Sequence, residues 1–164
     1  MARLLVTVGM GPWPFDRLIE GVAPLCAAHE VFVQTGTSAV TPPCPHAPFL
    51  PLDDLRRRLT DADVVITHAG NTVRLVQRLG RVPVAVAREA ARGEMGNDHQ
   101  VDYLREEERS GRVVAVWDVA ELPAVVAAHP QRQHRLLADR PLPGPVDGER
   151  LAATLDALCA RLVR

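Results

Sequence analysis

Short β-branched runs alternate along this chain with stretches whose apolar residues recur at helical spacing, and small-residue turns follow two of the runs. That alternation predicts an α/β fold, a doubly wound, mostly parallel Rossmann-like sheet with helices on both faces. The chain has 164 residues, 47% hydrophobic and 24% charged, which suits one domain with a sizeable core. The expected division is a sheet domain over 1–128, a polar, proline- and arginine-rich linker over 129–148, and a closing helix over 149–164 on the same domain.

Arg3–Val8 reads as the first strand rather than as a secretory signal. Phe15, Leu18, Ile19, Val22, Leu25 and Cys26 then mark a helix opened by Pro14. Val31–Gln34 is a second strand, followed by an irregular loop over Thr35–Pro48 and a very short strand at Phe49 and Leu50. A helix over Asp53–Thr60 leads to a strand at Val64–Thr67 and a helix over Thr72–Leu79, stopped by Gly80. Val82–Ala87 is the next strand, with Pro83 tolerated at its start. The loop Arg88–Gly96 precedes a helix over Asp98–Arg109, a strand over Arg112–Trp117 and a helix over Ala120–Ala128. Leu151, Leu155, Leu158, Cys159 and Leu162 give the amphipathic closing helix.

Composition removes several functions. A net charge of -1 argues against a broad grip on nucleic acid. No apolar stretch reaches the roughly 18 residues of a spanning helix. Cys26, Cys44 and Cys159 are widely spaced and lack a C-x-x-C pair, so neither a disulfide scaffold nor a zinc site is expected, and the default location is cytoplasmic. The chain contains no lysine, which excludes the Walker-type phosphate loop and every Schiff-base mechanism.

Ligands of open parallel sheets sit at the carboxyl ends of strands, where helix N-termini offer free N–H groups to anions. Three segments reach that rim. Gly9, Met10 and Gly11 form either a tight strand-to-helix turn or a backbone approach to a pyrophosphate. As a dinucleotide fingerprint the turn lacks a third glycine, and Gln34 ends the second strand where an NAD-binding acid would stand. His68 ends a strand beside the small Ala69 and Gly70, with Asn71 and Thr72 opening a helix. A histidine there either bonds within its loop or serves a phosphate oxygen or a proton transfer. Asn97, Asp98, His99 and Gln100 form either a solvated first helical turn or a set of groups for sugar hydroxyls. Arg105–Arg109 reads as a solvated face with local ion pairs.

Val6–Gly9 with Pro14–Ile19, then Val31–Gly36, Ala62–Gly70 and Asp98–Gln100, occur in the order seen in the family 28 glycosyltransferase C-terminal domain, which residues 4–127 resemble. The likeness is strongest to the stand-alone, donor-binding subunits of two-part UDP-sugar transferases. It implies half of a GT-B enzyme that needs neither metal nor other cofactor. Such a subunit moves a hexosyl or N-acetylhexosaminyl group from a UDP-sugar to a lipid-linked or polysaccharide acceptor. The resemblance also implies a membrane-associated acceptor-binding partner, which would hold the chain peripherally at the membrane. His68 would be the catalytic group, offsetting charge on the departing diphosphate. Gly9, Met10, Gly11, Ala69, Gly70, Asn71, Thr72, Asn97, Asp98, His99 and Gln100 would bind the donor. Met10 replaces the usual threonine, and Leu75 stands where the family carries a ribose-gripping glutamate. Arg74, Arg78, Arg81, Arg88 and Arg92 are nearby cations that can take over a diphosphate contact. The alternatives are a non-catalytic nucleotide-binding or partner-supporting module of the same fold, and an NAD-binding regulatory domain.

Overall fold

The computed structural model describes residues 1–140 together with Leu142, Ala153, Thr154 and Ala160. Six parallel strands among them are β1 (Arg3–Thr7), β2 (Glu30–Gln34), β3 (His46–Ala47), β4 (Val64–His68), β5 (Val84–Val86) and β6 (Val114–Ala115). Their order is β3-β2-β1-β4-β5-β6. The helices are α1 (Asp16–Ala28), α2 (Leu52–Asp61), α3 (Asn71–Arg78), α4 (His99–Arg109) and α5 (Leu122–Asp139). The predicted doubly wound α/β sheet is therefore present, and every strand pair in it is parallel.

Strand alternation sorts the core into two layers. Leu4 and Val6 of β1, Val64 and Ile66 of β4, and Val84 and Val86 of β5 face α1 and α5, where they meet Leu18, Ile19, Val22, Leu122 and Val126. The intervening Leu5 and Val65 face α2 and α3, against Leu59 and Val76. Ala85 and Ala115 face Val73 and Leu104 of α3 and α4. Strand order runs outward in opposite directions from the β1–β4 pair, so a crevice opens above their carboxyl ends.

Three expectations are corrected. The edge strand forms at His46–Ala47, where Val33 N–H donates to the Pro45 carbonyl and Thr35 N–H to that of Ala47; Phe49 and Leu50 lie in the turn beyond it. The last helix of the sheet domain does not stop at Ala128 but continues as α5 to Asp139, through the first part of the segment read as a linker. Pro130 lacks the N–H that would bond the preceding turn, which ordinarily ends a helix. Here tertiary contacts hold it. His129 Nε2 bonds the Val82 carbonyl at 2.8 Å and Gln133 Oε1 accepts the Val82 N–H at 2.8 Å, two side chains one turn apart gripping both backbone groups of one residue. Leu136 and Leu137 extend the same packing. The closing helix expected over 149–164 lies outside the described residues except at Ala153, Thr154 and Ala160.

The third correction concerns one residue of Arg105–Arg109, since Arg105 and Arg109 do form local pairs with Asp102 and Glu106 on an exposed face. Glu107 is buried, 1% exposed, and accepts from Arg74 at 2.9 Å, Gln77 at 2.9 Å and Arg112 at 3.0 and 2.9 Å. These bonds hold its carboxyl below the ordinary range against the opposing effect of burial. A surface run thus supplies the ionic pin between α3 and α4. No helix among the described residues is long and apolar enough to cross a membrane.

Candidate functional site

The carboxyl ends of β1 and β4 lie side by side, with Thr7 opposite Thr67. At their tips the His68 ring is held between two glycines. A Cβ on Gly9 would fall 2.6 Å from His68 Cε1, and one on Gly70 would fall 2.2 Å from Nε2. Gly9 also has φ +82, a conformation that side-chain-bearing residues rarely adopt. Gly70 has an ordinary extended φ of -138, so space alone requires a glycine there. Two loops distant in sequence therefore close on one imidazole.

Burial and the neighbouring Arg88 guanidinium push His68 down to about 4, opposed in part by the Thr7 backbone. The ring is thus neutral near pH 7. Its Nδ1 is buried and finds no hydrogen-bond partner, as is also true of Thr67 Oγ1. A neutral imidazole can donate one hydrogen bond and accept another, but it brings no net charge. The expectation that His68 offsets diphosphate charge narrows accordingly to hydrogen bonding.

A cavity of about 280 Å³ opens beside this ring, lined by Thr7, Gly9, Met10, Gln34, His68, Asn71 and Thr72 together with Leu50, Leu52, Leu55 and Leu75. The first turn of α3 faces it, with no acidic residue and no side-chain cap. Val73 N–H donates to the Gly70 carbonyl, which leaves the N–H groups of Asn71 and Thr72 without protein acceptors. A helix start of this kind attracts an anion. Ala69 and Gly70 shape the loop instead, since their N–H groups donate to the carbonyls of Val86 at 3.1 Å and His68 at 2.8 Å.

In the β1–α1 turn, read from sequence as either a tight turn or a backbone approach to a pyrophosphate, the first glycine is held from within the protein. Gly9 N–H is taken by Gln34 Oε1 at 3.1 Å. Gln34 Nε2 in turn donates to the carbonyls of Gly9 at 2.8 Å and Pro48 at 2.7 Å, and Thr7 Oγ1 donates to Gln34 Oε1 at 2.6 Å. Gln34 is the clamp between two loops, a role that its place at the end of the second strand does not reveal in sequence. Met10 is 78% exposed at the mouth, and Gly11 has open space around it.

The third segment meets the same rim but is internally bonded. Gln100 is buried and its Oε1 accepts the Arg88 N–H at 3.2 Å, while Asp98 Oδ1 accepts from Ala90 N–H at 2.8 Å. Asn97 Oδ1 accepts from the His99 backbone and contacts its Nδ1. His99 itself is exposed. Two arginines fix this loop: Arg88, which the sequence offers only as a nearby cation for a diphosphate, and Arg17, to which it assigns no role. The Arg88 guanidinium, buried against Phe15, donates to the carbonyls of Val8 at 2.9 Å and Trp13 at 3.0 Å. Arg17 grips Glu94 through two bonds of 2.8 Å and the Ala87 carbonyl through another of 2.9 Å. Of the arginines considered for a diphosphate, Arg74, Arg81, Arg88 and Arg92 are thus engaged by Glu107, the carbonyls of Leu59 and Ala62, the β1–α1 turn and Glu89.

Hollows of about 360 and 690 Å³ open at the opposite rim. Helices end there with their carbonyls outward, which disfavours anions. The arginines nearby are occupied, Arg3 by Asp63, Arg57 by Asp54 and Arg58 over the Phe32 ring.

No protein-family model matches this chain, and no curated protein matches it in sequence. Among solved structures it is similar to CalG4, the calicheamicin glycosyltransferase, with a TM-score of 0.60 at 17% identity over 99% of this chain. The match takes in 44% of that protein, so the chain spans less than half the length of the glycosyltransferase whose fold it shares.

Proposed function

We propose that this chain is the donor-binding half of a glycosyltransferase, taking up a nucleoside-diphosphate sugar at the β1–β4 crevice. The observation that carries the reading is the uncapped α3 N-terminus opening into a cavity beside a neutral, glycine-flanked histidine. In this reading the diphosphate lies on the Asn71 and Thr72 N–H groups, with the Thr72 hydroxyl beside them. As the bond between the sugar and the diphosphate breaks, negative charge grows on the leaving oxygen. Preorganised N–H donors and a hydrogen bond from the His68 imidazole stabilise it without a metal. A ring pushed down to about 4 donates a hydrogen bond well and serves poorly as a proton acceptor. The base for the acceptor hydroxyl then belongs to the acceptor-binding half of the enzyme.

The likeness of this chain's fold to part of a glycosyltransferase supports a donor-binding role. The fuller assignment follows the sequence resemblance: a hexosyl or N-acetylhexosaminyl group leaves a uridine-type donor for a lipid-linked or polysaccharide acceptor held by a membrane-associated partner. The exposed Met10, Trp13, Phe49 and Leu52 around the crevice supply an apolar fringe for that partner. The alternative, a non-catalytic module of the same fold, is favoured by the internal bonding of Gln100.

Transfer of labelled sugar to acceptor in partner-containing membranes tests the reading. His68→Ala should lower turnover at least 100-fold, the scale on which single oxyanion donors act. Near-normal turnover would remove His68 from the chemistry, and failure of every nucleoside-diphosphate sugar to bind would leave the non-catalytic module.

A further inference from the structure

The His68 ring owes its place to β2 as well as to its own loop. Gly9 lies so close to the ring that a Cβ on it would meet Cε1. A glycine has many conformations open to it, so this approach must be fixed from outside. Gln34, the last residue of β2 and 3% exposed, fixes it. Its Oε1 accepts the Gly9 N–H at 3.1 Å and its Nε2 donates to the Gly9 carbonyl at 2.8 Å, so one amide holds both backbone groups of the residue against the ring. The same Nε2 donates to the Pro48 carbonyl at 2.7 Å, and Oε1 also accepts from the Thr7 hydroxyl at 2.6 Å. Every donor and acceptor of the side chain is thereby used.

Gly36 leaves room for this seat. Its φ is +58, and a Cβ there would fall 3.0 Å from the Gly9 carbonyl oxygen and 2.9 Å from Val8 Cγ2. Its N–H donates to the Pro48 carbonyl at 2.9 Å, the acceptor that Gln34 also uses. Only an amide can make all four bonds at position 34. An ionised carboxylate accepts from Gly9 and Thr7 but has no proton for the two carbonyls, and an apolar side chain strands every partner.

We infer that Gln34 is a positioning residue for His68, acting through the Gly9 backbone that it holds against the imidazole. Its consequence for turnover rests on the donor-binding reading above, whereas the seat itself depends on no ligand. If Gly9 moves away, water reaches the ring and relieves the burial that pushes His68 down to about 4. Arg88, the charged group that also acts on the ring, is left in place by a neutral substitution at position 34.

The test follows the His68 ring by NMR across pH in the full chain and in Gln34→Met, a neutral side chain of similar length with no N–H to donate. The ring's midpoint should rise by at least about one pH unit in the variant, through hydration and not through charge. Turnover of labelled sugar should fall about tenfold, the scale of a misplaced group, and no further where His68→Ala is already present. One check needs no variant: in the parent chain both Gln34 side-chain amide protons should exchange slowly with solvent. Exchange at the rate of a solvated glutamine overturns the inference. So does a His68 midpoint that stays near 4 in folded Gln34→Met, or an equal fall in turnover with and without His68. A raised midpoint with normal turnover upholds the seat and removes His68 from the chemistry, which separates failure of the donor-binding reading from failure of the inference.

Discussion

Two loops follow neighbouring strands on one sheet rim and treat their polar groups in opposite ways. The β4–α3 turn leaves its helix start open, buries an unpartnered imidazole nitrogen and keeps two N–H groups free. The β5–α4 loop uses its polar groups internally, with Gln100 on the Arg88 backbone, Asp98 on Ala90, Glu94 on Arg17 and Arg88 on the β1–α1 turn. The difference teaches which polar residues are scaffold and which are available to a ligand. Changes in the second loop should cost stability, and changes in the first should cost binding.

The largest stability effect falls on Arg88. Arg88→Met leaves the carbonyls of Val8 and Trp13 without their donor and should lower unfolding free energy by about 3 kcal/mol in urea titrations. A loss below about 1 kcal/mol would show that the clamp is dispensable and erase the contrast.

Acid should weaken the open loop in a defined window. The fold holds His68 at about 4, against 6.5 for the free group, so the unfolded chain takes up the proton first as pH falls. Stability from this group is therefore full above pH 6.5 and declines towards pH 4, by about 3 kcal/mol at most. His129 is also pulled down by burial and adds an effect of the same sign. Unfolding measured across that range should be flatter in His68→Gln than in the parent chain, with the His129 contribution remaining. An unchanged slope would mean that the imidazole is solvated in the folded state.

A smaller effect belongs to Gln100. Gln100→Leu strands the buried Arg88 N–H and should cost about 2 kcal/mol while leaving nucleotide affinity within twofold. A large loss of affinity with unchanged stability would move Gln100 back among the ligand-binding residues. Smallest of all, His99→Ala and Met10→Ala alter exposed side chains and should shift stability by less than about 0.5 kcal/mol.

The contrast also shows why some of this molecule is legible in sequence and some is not. Strand positions and the two-layer core follow from alternation, because β1 and β4 bury both faces and read as continuous apolar runs. The convergence of Gly9, His68 and Gly70 was likewise legible, since adjacent carboxyl ends are forced together by a parallel sheet. What sequence withheld is the destination of each hydrogen bond. Gln34, Glu107 and Gln100 look like surface residues until a distant backbone or guanidinium group meets them. The segment from residue 129 reads as a linker because its polar, proline-rich composition cannot register His129 and Gln133 holding Val82 one turn apart.

The most direct measurement is an amide-resolved NMR titration of the chain with a nucleoside diphosphate. Binding at the open loop predicts the largest shifts at the N–H groups of Asn71 and Thr72 and on the His68 ring, with Asp98, His99 and Gln100 moving little. Shifts centred on residues 97–100, or on the hollows around Arg3 and Arg57, would contradict the account.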